Sequence, residues 1–330
     1  MLHQDSPEVA KSRFRPLALL WLCTALVAVS FAPIFIRFSE TELGANATVF
    51  NRLLIYCLVF GFGRLIAQQL KPTASENRVE SSPNFYQWLL LGSVGVISII
   101  SLVLWAISLE YTTVAKSMLL NNLTPIFTSL GSWLFLRRRF DNRFVMGMVI
   151  ALSGAITLGI EDLSSTDDSL IGDMYAVLSA VFLGSYFLVV EQLRSRFSAT
   201  TILLWRCSVG SILLIPVVFL FEDQFFPTNT TTWLAVIGLG IISEGLGQGL
   251  LAQSMSEFSS SFISVFLLLE PIVSAILAWI IFVEQLSTST WIGFAIVLSG
   301  IYLAQSSRVA LQSCDAAIAE GELVDISEAN

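Results

Sequence analysis

The sequence predicts an all-α membrane protein: ten transmembrane helices arranged as two inverted five-helix repeats. Three observations predict it. Apolar residues dominate the 330-residue chain. They fall into runs close to the length of a bilayer-crossing helix, about 20 residues. A stretch of the first half also recurs in the second half with the charge at its end reversed.

The chain is 55% hydrophobic and 13% charged, with a mean hydropathy of +0.77. That is too apolar for a soluble domain. The ten runs are residues 17–36, 48–68, 86–107, 113–136, 144–160, 172–190, 200–221, 232–254, 259–282 and 291–306. A membrane barrel would instead show short segments of alternating polarity. In lipid every backbone donor and acceptor needs an internal partner, so unbroken apolar runs become helices. The first run follows Lys11, Arg13 and Arg15. It is long and lacks a small-x-small exit before Arg37, so it reads as a retained helix and not as a signal peptide. Cys23, Cys57 and Cys207 lie inside apolar runs and Cys314 in the tail, which is no disulfide framework. Much of the net charge of −8 sits in a C-terminal tail with Asp315, Glu320, Glu322, Asp325 and Glu328.

Charge sets the expected orientation. With the N-terminus in the cytoplasm, the cytoplasmic segments hold thirteen basic residues, among them Arg64, Lys71, Arg137, Arg138, Arg139, Arg143, Arg194 and Arg196. The outer loops hold only Arg37, and are acidic at Glu161, Asp162, Asp167, Asp168, Glu222 and Asp223. Basic excess marks the cytoplasmic side. The expected organisation is a cytoplasmic tail (1–16), a first repeat (17–160), an acidic external linker (161–171), a second repeat (172–306) and an acidic cytoplasmic tail (307–330). The expected home is the cell (inner) membrane.

The repeat itself is readable. Sliding by 146 residues pairs Leu123 with Leu269, Pro125 with Pro271, Trp133 with Trp279, Gly147 with Gly293, and "ALSG" (151–154) with "VLSG" (297–300). Slightly different slides pair Trp88 with Trp233 and Arg52 with Arg206. A unit of five crossings must enter the membrane upside down the second time. "LTPIFTSLGSWLFLRRRF" therefore ends in Arg137–Arg139 on the cytoplasmic side, while "LEPIVSAILAWIIFVEQL" ends outside and carries Glu284 there instead. Inverted repeats are typical of secondary transporters, whose sites lie near mid-membrane between the halves.

"LEYTTVAKSMLLNNLTPIFTSLGSWLFL" and "SEFSSSFISVFLLLEPIVSAILAWIIFVEQLSTSTWIGFAIVLSGIYL" resemble the two EamA-type repeats of the drug/metabolite transporter superfamily. The shared pattern is a polar turn, a helix broken by a proline, an Ala-Trp stretch, a Gly-Glu-like turn and a last helix with Ser-Gly. Val283–Glu284 departs slightly from that turn, and Arg137–Arg138 departs fully. The resemblance covers about residues 17–306. It implies ten helices, cytoplasmic termini, and a central cavity lined mainly by helices 1, 3, 4, 6, 8 and 9. It also implies alternating access by rocking of the two halves.

Charge inside a membrane helix is the best local pointer to that cavity, since it costs about 2.5–3.5 kcal/mol at mid-depth on insertion scales. Glu244 and Glu270 sit mid-helix, whereas Arg52, Lys116 and Arg206 sit nearer helix ends. These five are the candidate coupling or gate charges. Glu244 shares a helical face with Gln248; its structural alternative is an ion pair with Arg206. The neighbouring Gly245, Gly247 and Gly249 read as close helix packing. Pro271 follows Glu270 and is expected to free the Leu267 carbonyl. Ser260, Ser264, Glu270 and Ser274 lie on or near one face, as do Ser117, Asn121, Thr124 and Thr128 in the other repeat. Asn121 and Asn122 together need a partner beyond their own helix. Ser98, Ser101, Trp105 and Ser108 form a stripe on helix 3. Trp105, Tyr186 and Trp205 read either as interfacial anchors or as an aromatic wall for an organic solute. Arg52 and Arg206 are equivalent in the two halves; they are snorkelling ends, gate ion pairs, or an anion-binding charge.

Other chemistries lack their residues. There is no Gly-x-x-x-x-Gly-Lys-Ser/Thr loop for ATP. His3 is the only histidine, and no Cys/His cluster is spaced for a metal. No catalytic residues, cofactor, metal or nucleic-acid partner is expected. The expected function is secondary transport of a small organic metabolite such as an amino acid, as exporter or exchanger, with Glu244 or Glu270 taking up a proton. The expected partners are that solute and the lipid bilayer, and a homo-oligomer is admitted. The alternative is a membrane-embedded enzyme or a non-transporting partner subunit.

Overall fold

A computed structural model describes residues 16–70, 85–111, 117, 120–160, 170–282 and 288–307. Both tails, the 161–169 part of the acidic linker, Lys116 and Glu284 lie outside the described residues. The described residues form only helices and their connections. Ten helical units follow one another, and three of them are broken or deformed. Unit α1 comprises Pro16–Ser30 and Ala32–Ser39, and α2 is Ala45–Leu70. Then come α3 (Phe85–Tyr111), α4 (Thr124–Phe135) and α5 (Asn142–Ile160). The second half runs through α6 (Leu170–Arg194) and α7 (Ala199–Phe221). Unit α8 comprises Thr230–Gly238, a π-helical stretch Leu239–Gln248, and Gly249–Ser254. Unit α9 comprises Ser260–Phe266, a 3-10 turn Leu267–Leu269, and Glu270–Phe282; α10 is Thr288–Gln305.

Among the described residues, seven helices are long and apolar enough to cross a membrane, and the apolar stretches Asn142–Ile156 and Trp291–Ala304 are shorter. The outward faces carry Phe62, Phe135, Phe219, Leu220 and Tyr302 well exposed. Continuous apolar surface of this kind matches lipid as the solvent.

The packing follows the repeat. Helix α5 packs along α10, and α2 along α7. Helix α3 meets α6 as α8 meets α1, and α4 meets α6 as α9 meets α1. Helix α3 meets α7 as α8 meets α2, and the first part of α9 meets α4. Exchanging each helix for the one five places on leaves this contact pattern unchanged. The "SG" motif has its physical reason here. A Cβ built on Gly300 would fall 2.3 Å from the Ala151 nitrogen, and one on Gly147 would fall 2.4 Å from the Ala304 nitrogen. Small residues let the α5 and α10 backbones touch.

Prolines explain the start of α4 and the break in α9. Pro125 has no N–H to give the Asn121 carbonyl one turn earlier, and that oxygen accepts from the Thr124 hydroxyl at 2.6 Å instead. Pro271 acts likewise on Leu267, but the expected free carbonyl is not found. The chain tightens into the 3-10 turn, and the Glu270 N–H donates to the Leu267 oxygen. The frequent use of i to i−3 bonding at helix irregularities covers this case.

Candidate functional site

The widened backbone of α8 carries Glu244 at its centre. Such π stretches are frequent at functional sites. Gly240 and Gly247 let it press against α2 and α1: their added Cβ atoms would lie 2.7 Å from Ile55 and from Val29 side-chain carbons. Glu244 is fully buried. Its Oε2 accepts from Arg52 Nε at 2.7 Å, and its Oε1 accepts from Arg206 Nη1. The Cys207 thiol donates to the same Oε1 at 3.5 Å. Arg206 also donates through Nε to Ser98 Oγ at 2.8 Å, and its guanidinium lies 5.0 Å from the Tyr186 ring centroid. The equivalent arginines of the two halves thus converge on one carboxylate. They are not snorkelling ends: both turn inward, because a buried carboxylate gives each a partner that lipid does not.

Beside this cluster lies a cavity of about 140 Å³. Its lining brings together Asn121, Asn122, Tyr186, Arg206, Gln248 and Glu270 from four of the sequence-expected elements and α7. The remainder is largely apolar: Pro125, Leu183, Phe187, Leu251, Leu267 and Leu268. Glu270 is only partly buried, and among the described residues no side chain or backbone donor reaches its carboxylate. The Asn121 side-chain oxygen is buried beside the cavity with no donor.

Three expectations are corrected. Trp205 does not line the cavity. It faces outward, 36% exposed, and packs edge-on against Trp88 at 5.3 Å. Successive helical residues point about 100° apart, so the inward turn of Arg206 sends Trp205 to the surface. Trp105 is absent from the lining too, with its indole N–H buried without an acceptor. Glu244 sits behind the lining, reaching it only through Arg206. Lys116 lies outside the described residues. Several of the polar stripe residues bond locally, as Thr128 does to the Thr124 carbonyl at 2.9 Å. Ser274 donates to the Ser30 carbonyl at 3.0 Å, at the break in α1.

One polar cluster escaped the sequence reading. At the end of the bundle where α4 and α6 finish and α9 begins, Arg138 Nη1 lies 2.7 Å from Glu191 Oε1. Glu191 Oε2 accepts from the Ser260 N–H at 3.1 Å, capping α9. Ser132 and Ser261 hydroxyls meet at 2.9 Å. Arg137 just before holds φ 51°, the left-handed helix ending usually taken by glycine, and the Arg138 N–H closes on the Ser132 carbonyl at 3.2 Å. Nothing in the local pattern marks Glu191, which precedes Gln192 and Arg194 like a solvated helix end.

A charged mid-helix cluster and a cavity between two packing-equivalent halves are what a transporter requires, and the comparison with known families agrees. Residues 16–160 and again 170–305 match the EamA-like transporter family. The chain belongs to that family. This EamA-family chain is 29% identical over 243 residues to the uncharacterized transporter YxxF of Bacillus subtilis (strain 168), covering 73% of this chain and 75% of that one. It is 25% identical over 218 residues to the pseudopaline exporter CntI of Pseudomonas aeruginosa (strain UCBPP-PA14), covering 65% and 74%. Its fold matches a crystal structure at TM-score 0.72 and 20% identity, covering 88% of this chain and 98% of the other. The EamA-family chain is accordingly an all-helical, multi-pass integral membrane protein of a transporter family.

Proposed function

We propose that this EamA-family protein is a secondary transporter of small organic metabolites such as amino acids, working as an exporter or exchanger. It acts by alternating access between two inverted repeats, the first spanning 17–160 and the second 172–306. Both termini lie in the cytoplasm of a cell whose inner membrane holds the protein, and the 161–171 linker lies outside. The basic-residue asymmetry supports this orientation. The observation that carries the reading is the cavity between α4, α6, α7, α8 and α9, with Arg206 and Glu270 both on its wall.

The start of α4 at Pro125 and the 3-10 turn before Pro271 lie on the cavity wall, and they serve as the movable joints in this reading. The Arg138–Glu191–Ser260 cluster ties the cytoplasmic ends of α4, α6 and α9, and it is the gate that must part for inward opening. Glu270 is the coupling carboxylate. Glu244 is held by two guanidinium groups, so adding a proton there would break both ion pairs.

The test is solute counterflow in proteoliposomes with a panel of radiolabelled amino acids, across external pH. The wild type exchanges at least one of them, with a rate that depends on pH, and Glu270→Gln removes the pH dependence. A Glu270→Gln protein with the wild-type pH profile would exclude the coupling role. Absence of exchange for every solute would remove the transport assignment to this class of metabolite.

A further inference from the structure

Among the described residues, the charges around the cavity balance only when Glu270 is ionised. Arg52 and Arg206 bring two positive charges, and Glu244 brings one negative charge between them. Among the described residues, Arg206 and Glu270 are the charged ones on the cavity wall, and Arg52 is close enough to act electrostatically on Glu270. The other titratable groups nearby include Tyr56 and Cys57 on α2, Tyr186 on α6 and Cys207 on α7, while the segment leading into α4 contributes the amides Asn121 and Asn122. Arg206 engages Nε with Ser98 and Nη1 with Glu244. Its Nη2 has no protein acceptor among the described residues, and neither have the two Nη groups of Arg52. Guanidinium donors without acceptors at mid-membrane need an anion or water.

We propose that the cavity binds its solute through a single anionic group, carboxylate or a similar monoanion, and that this anion enters together with a proton on Glu270. The proposal rests on the transporter reading and gives it a substrate class and a sign. When Glu270 is ionised, it balances the spare guanidinium charge and repels a second anion. When Glu270 is protonated, the site carries one uncompensated positive charge, which a solute anion neutralises. Bound anion plus bound proton leave the site with the same charge as the empty, ionised form. The loaded and unloaded proteins therefore cross the membrane field with equal charge, so the movement is electroneutral anion–proton symport. The gradients of solute and proton then set its direction. The undonated Asn121 oxygen selects solutes with a hydroxyl or amine near the anion. A cavity of this size suits a ring-sized body, since roughly 150 Å³ holds benzene.

The purified full chain in detergent is tested by thermal unfolding with three acid–amide pairs: benzoate and benzamide, phenylacetate and phenylacetamide, mandelate and mandelamide. These acids stay ionised above about pH 6. At least one acid raises the unfolding temperature where its amide does not, because binding to the folded state stabilises by mass action. Above the titration of Glu270, affinity for that acid falls tenfold per pH unit, one proton per anion. In Glu270→Gln the slope is flat and the acid still binds at high pH. Mandelate exceeds phenylacetate, and Asn121→Leu erases that margin. Equal stabilisation by acids and amides, or no stabilisation by any acid, overturns the proposal. So does a pH slope unchanged in Glu270→Gln. The two readings fail separately. Amino-acid exchange without acid preference leaves transport standing and removes the anion site. Coupled acid and proton binding without flux does the reverse.

Discussion

Glu244 and Glu270 are the same residue on neighbouring helices, each interrupting a long apolar run, and the structure puts them to opposite uses. Glu244 lies in the π stretch of α8, fully buried, with its oxygens taken by Arg52, Arg206 and Cys207. Glu270 follows the 3-10 turn of α9 and faces the cavity with no donor among the described residues. Depth alone would make both equally costly. What separates them is whether the surrounding helices bring cations into contact. A carboxylate tied on both oxygens fixes the helices that tie it. One left open to a cavity is free to exchange a proton or meet a solute.

The sharpest way to break this contrast is to remove the tied member. Glu244→Ala leaves two guanidinium groups buried without their anion, and breaking a buried pair in this way costs about 3–5 kcal/mol. The expected result is a large fall in the unfolding temperature of the purified protein. Adding Arg206→Gln to Glu244→Gln should recover much of the loss that Glu244→Gln causes, because the orphaned charge is then gone. A Glu244→Ala protein as stable as the wild type would mean that water, not the arginines, solvates Glu244.

A third buried carboxylate, Glu191, falls between the two. It is tied, but to an Arg138 that keeps some exposure, and to one backbone donor at the start of α9. Hydrogen bonds to charged groups are worth about 1.5–3 kcal/mol, so Glu191→Gln should destabilise by less than Glu244→Ala. Its specific signature is opening of one end. A cysteine placed at Ser264, on the cavity wall, should react faster with an impermeant maleimide from the side proposed as cytoplasmic in the Glu191→Gln background. An unchanged labelling rate would show that this cluster only caps α9.

Glu270→Gln should move stability by no more than about 1 kcal/mol, since none of the described residues loses a partner, while altering the pH response of transport. A destabilisation matching that of Glu244→Ala would erase the distinction drawn between the two, and would show Glu270 to be a structural ion. Thermal unfolding of both variants in the same detergent decides it.

The sequence made the ten runs and the duplicated segment legible, because lipid forces long apolar helices and because Pro125/Pro271 and the two Ser-Gly pairs survive the 146-residue slide. Of the residues on the cavity wall, Asn121, Asn122, Gln248 and Glu270 were legible as polar groups that lipid cannot accept, and Tyr186 only as an aromatic that could be an anchor or a wall. Arg52 and Arg206 were found, and an Arg206–Glu244 pair was one of the readings, but the convergence of both arginines on that carboxylate was not. Their partner is set by how the π stretch of α8 rotates Glu244, and a ten-residue run with Glu and glycines reads equally well as an ordinary α-helix. Trp205 misled because aromatic character does not say which way a side chain points; Arg206 beside it did. Glu191 and Arg138 were missed since each looks solvated within its own segment, and only the packing of α4, α6 and α9 buries them.

The smallest effect lies at the other end of the bundle and carries the contrast to the surface. Glu42, in the turn between α1 and α2, accepts from the Thr228 hydroxyl, the Thr228 N–H at 2.6 Å and the Asn229 N–H at 3.2 Å, just ahead of α8. Glu222 returns the arrangement, accepting from the Asn46 N–H at 2.9 Å at the start of α2. The Thr228 hydroxyl and the two backbone donors hold the Glu42 carboxyl below its usual range, at about 2. Its folded value is depressed, so the stabilisation is fully present above the unfolded value of 4.5 and fades as pH falls towards about 2. Glu42 is partly exposed, and water and salt screen much of this. Glu42→Gln should therefore leave stability near neutral pH little changed and flatten its acid dependence over that window. If the variant and the wild type lose stability in parallel as the pH drops, the turn-to-α8 contact contributes nothing in solution, and a tied carboxylate matters in this protein only where lipid and helices exclude water.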